Sequence, residues 1–289
     1  MQEVSAVNEF GETCKVSIPA ERALTVYVDK RELVTLMTLG AQPELLVLGF
    51  LRNQRLVQSV QEVESVTVDW DVGVAAVKTR QGISDIEART AKKVVTTGCG
   101  QGSVFGDLMA DVEQLQLPPA TLSQGQLYGI VNAIRLQEST YKSAGSVHGC
   151  ALFQGEQMLI FVEDVGRHNA IDTIAGWMAM QDVAPTGWGG VGMSGADKVF
   201  YTTGRLTSEM VIKSAQMGVP IVVSRSGITQ MGQQVAERLG LCTIGRAMNR
   251  RFLCFSGAHR LLLEPGLAGE RAELRVASPR RESAGAGGE

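Results

Sequence analysis

The chain has 289 residues, 44% apolar and 20% charged, with a net charge of −3. That suits one large domain or two small ones around a substantial core, and it supplies no broad basic footprint for nucleic acid. No apolar run approaches the roughly 18 residues of a membrane helix, and the opening stretch carries acids where a signal peptide would be basic, so a cytoplasmic protein is expected.

Residues 23–29 read as a strand, and Asp29-Lys30 turns it into a second one over 32–37. A short helix is predicted over 44–51 and another hairpin over 63–70 and 73–78. Residues 94–97 make a short β-branched strand that runs into Gly98-Cys99-Gly100-Gln101-Gly102. Ser123 stands three residues before Gln126, a capping-box spacing. Leu127, Ile130, Val131 and Ile134 follow at helical intervals. Strands over 147–153 and 158–162 surround the turn 154–157. Glu163-Asp164-Val165-Gly166-Arg167-His168-Asn169 then leads into a helix with Ile171, Ile174, Ala175 and Met178 on one face.

The remainder alternates more clearly. A strand over 199–203 precedes a helix over 208–217, which Gly218 stops, with Pro220 beyond it. A buried-type strand over 220–223 precedes a helix carrying Met231, Val235 and Leu239, ended by Gly240, and a strand over 241–244 follows. Such alternation predicts a mostly parallel sheet with right-handed crossovers. From about Pro265 the chain loses apolar periodicity and reads as a disordered tail. The expected organisation is therefore a β-rich part over 1–120 ending in the Cys99 loop, an α/β domain over 121–264 and a tail over 265–289.

The five cysteines are odd in number and irregularly spaced, which argues against a disulfide scaffold, and the absence of a C-x-x-C pair argues against structural zinc. Cys99 is singular because Gly98, Gly100 and Gly102 leave its sulfur uncrowded, as a nucleophilic thiol requires. Cys150, Cys242 and Cys254 sit among apolar strand residues and read as buried thiols. Beyond the carboxyl ends of the C-terminal strands stand the segments 204–209, 224–226 and 245–251, which bring arginines and small residues to helix N-termini. Arginines beside free backbone N–H groups make an anion site, so a phosphate-bearing ligand is expected there. His148 and His168 could tune a thiol or bond that ligand. Gly190-x-Gly192-x-x-Gly195 precedes a strand instead of following one, and residues 98–103 lack the G-K-[ST] ending of a phosphate loop, so neither is taken as a nucleotide fingerprint. No H-x-E with P-C-x-x-C is present, and no metal site is expected.

Several stretches in order resemble one family, the FdhD formate dehydrogenase accessory sulfur carriers, over about residues 18–256. Glu163-Asp164-Val165-Gly166-Arg167-His168-Asn169-Ala170 is similar to the family's E-D-V-G-R-H-N-A. Thr207-Ser208-Glu209-Met210-Val211-x-Lys213, Ser224-Arg225-Ser226 and Val147-His148 with Ala151-Leu152 look like further hallmarks. The resemblance implies a cytidine-deaminase-like mixed α/β sheet with flanking helices, beside a smaller N-terminal β-rich part, without the zinc chemistry. It implies a homodimer whose Cys99 takes persulfide sulfur from a cysteine desulfurase. That sulfur would pass to the bis(molybdopterin guanine dinucleotide) molybdenum cofactor, held in transit as substrate before its insertion into formate dehydrogenase. The cofactor-contacting segment maps onto Arg246, Ala247, Met248, Asn249, Arg250 and Arg251, with His148, Arg167, His168, Ser208, Ser224 and Arg225 from the other motifs. Gly102 stands where the family usually has a second loop cysteine, which leaves open an alternative: a chaperone that holds the cofactor without moving sulfur.

Overall fold

The computed structural model describes residues 1–83, 115–181 and 192–268. The predicted strand over 94–97, the Cys99 loop and most of the tail lie outside them.

The chain opens on a hairpin absent from the sequence reading, β1 (Gln2–Val7) against β2 (Thr13–Ile18). Its strands alternate: Val4, Ala6, Cys14 and Val16 share one side, and Glu3 and Lys15 form an ion pair of 2.8 Å on the other. Strands β3 (Arg22–Val28), β4 (Arg31–Thr38), β5 (Val63–Asp69) and β6 (Val74–Thr79) build a sheet in the order β4-β3-β6-β5. Both predicted hairpins are present, and Asp29 and Lys30 adopt the positive φ that so tight a turn demands. Helix α1 (Pro43–Asn53) covers one face, packing Leu46, Val47, Phe50 and Leu51 onto Leu24, Val26 and Val77.

A six-stranded sheet forms the larger part. After the two-residue β7 (Leu122–Ser123), α2 (Gln124–Leu136) starts on the expected box: Gln126 N–H donates to Ser123 Oγ and the Gln126 side chain accepts from Ser123 N–H. The short α3 (Thr140–Ala144) leads to β8 (His148–Gln154) and β9 (Gln157–Asp164), then to α4 (Arg167–Met180). There follow β10 (Lys198–Thr202), α5 (Ser208–Gln216), β11 (Ile221–Ser224), α6 (Gln230–Leu239), β12 (Cys242–Met248) and β13 (Arg251–Ser256), with β14 (Leu261–Leu262) pairing β7.

The order is β13-β12-β11-β10-β8-β9. Only β10, β11 and β12 run parallel; β8, β9 and β13 pair antiparallel, so the sheet is mixed and not mostly parallel as the helix–strand alternation suggests. The reason is local: β8–β9 and β12–β13 are hairpins, which join antiparallel strands without a crossover helix. Strand alternation sends Cys150, Leu152, Phe200 and Val222 toward α4, α5 and α6, and Ala151, Phe153, Tyr201 and Val223 toward α2. Both faces are thus covered, which is why these strands read as unbroken apolar runs.

The two parts are joined by a close crossing of α1 and α4. A methyl on Gly49 would lie 1.6 Å from the Asp172 carbonyl, and one on Gly176 would lie 2.0 Å from the Leu45 carbonyl, so only glycine lets the backbones meet. Helix α4 is consequently buried nearly all round, polar residues included.

Candidate functional site

The turn into α4 explains its own composition. The two carboxylate oxygens of Glu163 accept from the N–H groups of Thr140 and Tyr141, each at 2.7 Å, and so cap α3. Asp164, 4% exposed, accepts from Thr38 Oγ1, from Leu39 N–H and Gly166 N–H at 3.1 Å, and from Asn169 Nδ2 at 2.8 Å. Asn169 Nδ2 also donates to the Met37 carbonyl at 2.7 Å. Burial pushes the Asp164 carboxyl upward, against four hydrogen bonds that favour its charge. These side chains tie the end of β4 to the start of α4, and they aim Arg167 and His168 from the first helical turn.

Arg167 and His148 converge on the end of β10. A methyl on Gly204 would meet Arg167 Cδ at 2.8 Å and His148 Nδ1 at 3.3 Å. His148 starts β8, which runs antiparallel to β10, so its N-terminal end lies beside the carboxyl end of β10. Its pKa is lowered, first by burial and then by Arg167 and Arg205. Burial drives His168 further, down to about 2, helped by Lys213 and Arg167. His168 Nε2 lies 3.3 Å from Glu209 Oε2, but a neutral imidazole makes this a polar contact and not an ion pair. Glu209 is itself raised by burial. Below it, Lys213 Nζ contacts Asp172 Oδ2 at 2.8 Å, and Asn53 Nδ2 donates to Asp172 Oδ1 at 2.7 Å, joining α5, α4 and α1 through one buried chain.

The loop after β11 completes this edge. Ser224 is fully buried; its hydroxyl donates to the Gly204 carbonyl at 2.7 Å and accepts from Ser226 N–H at 2.9 Å. It braces two loops and offers no free hydroxyl to a ligand. Arg225 is exposed, with its guanidinium 5.5 Å from the Tyr141 ring centre. Ser208 opens α5, half-buried, behind the N-cap Thr207, whose hydroxyl makes no cap bond. Two helix N-termini, of α4 and α5, therefore stand beside Arg167, Arg205 and Arg225, an arrangement that favours an anion.

The segment 246–251 differs from its reading as a loop beyond the last strand. It lies within the β12–β13 hairpin: Arg246, Ala247 and Met248 belong to β12, Asn249 and Arg250 turn the chain, and Arg251 opens β13. Arg246 has a φ of 52° where the ladder is interrupted between Gly245 and Met248, and Asn249 has a φ of 55° in the turn itself. Arg246, Met248, Arg250 and Arg251 are exposed, whereas the Ala247 side chain packs in the core and cannot reach a ligand. Tyr128 donates to the Arg250 carbonyl at 3.1 Å and steadies the turn from α2.

Cys99 lies outside the described residues. Cys150 is buried and pushed up to about 12, as a structural thiol should be. Cys242 is buried too, but Cys254 is only half-buried, so its reading as a sealed core thiol is corrected. Tyr141 and Asp172 carry no role in the sequence reading; a lone aromatic and a lone acid in a helix give no local sign of tertiary partners. Among the described residues no group of three or more histidine, cysteine or carboxylate side chains could hold a metal ion, and no helix is long and apolar enough to cross a membrane.

Residues 19–262 match the model of the FdhD/NarQ family. The chain is 30% identical to a protein named sulfur carrier protein FdhD from Halalkalibacterium halodurans, over 85% of this chain and 88% of the relative. It is also 30% identical to one of that name from Bacillus subtilis, over 88% and 94% respectively. A crystal structure titled as a putative formate dehydrogenase accessory protein, from Desulfotalea psychrophila, shares the fold at a TM-score of 0.70 with 22% identity, covering 91% of this chain and 98% of that one. A match that spans the two sheets, the α4 turn and the basic strand ends alike means that the chain belongs to the FdhD/NarQ family.

Proposed function

We propose that this protein is a sulfur carrier that matures formate dehydrogenase. The observation that carries the reading is the family match over residues 19–262, with relatives named sulfur carriers across most of their length. In this reading the Cys99 thiolate attacks the outer sulfur of a cysteine desulfurase persulfide. The old S–S bond breaks, the desulfurase thiolate leaves, and Cys99 carries the sulfur as its own persulfide. The substrate in transit is the bis(molybdopterin guanine dinucleotide) molybdenum cofactor, whose phosphates suit the basic strand ends. Arg167, Arg205 and Arg225 supply the charge, and the N-termini of α4 and α5 supply N–H donors. Sulfur transfer in this reading requires the metal centre of the held cofactor to reach the Cys99 persulfide, a proximity effect. A cytoplasmic homodimer with a deaminase-like core belongs to the same reading.

The test is intact mass spectrometry after incubation with a desulfurase and cysteine. One added sulfur that maps to Cys99, lost on reduction and absent in Cys99→Ser, is the expected result. Protein that gains no sulfur under these conditions refutes the reading. Gly102, in place of a second loop cysteine, favours one other function, a cofactor chaperone without sulfur transfer. That function predicts normal dehydrogenase maturation by Cys99→Ser and failed maturation by the Arg250→Ala, Arg251→Ala double variant.

A further inference from the structure

We propose that Thr207 is a ligand-binding residue, and that its hydroxyl and His148 Nδ1–H receive one phosphoryl group between the N-termini of α4 and α5. This assignment rests on the reading of these strand ends as a phosphate site. A contrast between two threonines leads to it. Thr207 and Thr229 hold the same N-cap position on successive helices, α5 and α6. Their backbones match, with φ and ψ of −88° and 168° against −85° and 157°. Thr229 Oγ1 acts as an N-cap hydroxyl ordinarily does and accepts from Gly232 N–H at 3.2 Å. Thr207 Oγ1 makes no such bond and is buried without a hydrogen-bond partner. The backbone permits a cap; only the side-chain rotamer withholds the hydroxyl from it.

A second observation is where such atoms gather. A buried polar atom without a partner is costly, and native structures hold few. Among the described residues those that exist belong to this one edge, including His148 Nδ1, Thr207 Oγ1 and both nitrogens of His168. His168, 3% exposed, points from the first turn of α4 toward that of α5, its Nε2 3.3 Å from Glu209 Oε2 without hydrogen-bond geometry. The surroundings select the ligand. Ser123, Ser139 and Thr229 cap α2, α3 and α6, whereas neither α4 nor α5 has a side-chain cap. An uncapped helix N-terminus favours an anion. Glu209 opposes one, but burial raises its pKa toward the neutral form. Hydroxyl, imidazole N–H, guanidinium and backbone N–H donors together match the oxygens of a phosphoryl group. Thr207 Oγ1 and His148 Nδ1 are closed to solvent as the site stands, so binding includes a turn of these two side chains.

The experiment is isothermal titration calorimetry of the full chain with inorganic diphosphate and with guanosine diphosphate, at fixed ionic strength, beside thermal unfolding of each variant. We expect both probes to bind, and Thr207→Val to weaken both by roughly ten- to a hundredfold without lowering the melting temperature. Thr207→Ser, which keeps the hydroxyl, should bind nearly as the wild type does. Thr229→Val should do the reverse of Thr207→Val, with a lower melting temperature from the lost cap and unchanged affinity. Tighter binding of guanosine diphosphate marks a nucleotide as the source of the group, and equal affinity marks a free inorganic anion; either supports the subsite. Unchanged affinity in Thr207→Val overturns the proposal while leaving the strand ends a phosphate site. So does a fall in its melting temperature as large as that of Thr229→Val, or its failure to fold, since the hydroxyl would then be structural. Wild-type protein that binds neither probe overturns the phosphate reading and this assignment with it.

Discussion

Replacing Lys213 with Met removes the cation from a chain that runs Asn53–Asp172–Lys213 through the contact of three helices. Asp172 is fully buried and Lys213 is 5% exposed, with 2.8 Å between Nζ and Oδ2. Water cannot screen a carboxylate at that depth, and Asn53 alone satisfies one of its oxygens. Breaking one half of a buried pair costs about 3–5 kcal/mol because the other charge is stranded. For a chain of this size that corresponds to a melting temperature lower by on the order of 10 °C. The deficit depends on pH. Burial raises the Asp172 pKa while Lys213 holds it down, so the variant raises it further. A carboxyl whose folded pKa lies above its unfolded value of about 4 favours the folded state only at low pH. Its contribution is lost as pH rises through the folded value. The Lys213→Met deficit should therefore be small at acid pH and grow toward neutrality. Urea denaturation across that range measures it. The double variant Asp172→Asn, Lys213→Met, which strands no charge, should recover most of the loss. If Lys213→Met costs less than about 1 kcal/mol, or if the double variant is no better than the single one, the stranded-charge argument is wrong.

Other outcomes follow from the same contacts. Asp164→Ala orphans donors from Thr38, Leu39, Gly166 and Asn169 and should cost at least about 3 kcal/mol, read by thermal unfolding, with Asp164→Asn milder because it keeps one acceptor. Gly176→Ala drives a methyl into the Leu45 carbonyl and should destabilise by about 3 kcal/mol or more, whereas Gly227→Ala, with open space around it, should change little; circular-dichroism melts compare the two. The His168 ring resonances should stay flat from about pH 5 to 8, since burial keeps the imidazole neutral down to about 2; a titration midpoint near 6.5 would contradict that burial.

Much of the fold was legible along the chain. The hairpin at Asp29-Lys30, the Ser123–Gln126 cap and the stops at Gly218 and Gly240 all act within a few residues, and local sequence sets them. The N-terminal hairpin was missed because both its strands are largely exposed and show no buried apolar run. The β12–β13 hairpin was missed because Arg246, Asn249, Arg250 and Arg251 read as a polar loop, although an asparagine at positive φ is itself a turn signal.

The α4 turn shows the division most clearly. Its residues were conspicuous as a string, and sequence alone placed arginine and histidine at the start of a helix, with three basic loops at strand ends. Tertiary structure decided which of them stay open to solvent and which are turned inward. Ser224 and Ala247 turned inward, Glu163, Asp164 and Asn169 became the braces of the site, and Tyr141 came beneath Arg225 from another element. Whether a polar side chain serves as a brace or a contact depends on partners more than a hundred residues away, as between Thr38 and Asp164. No local pattern encodes such partners; only the packing of two sheets around α4 brings them within hydrogen-bonding reach.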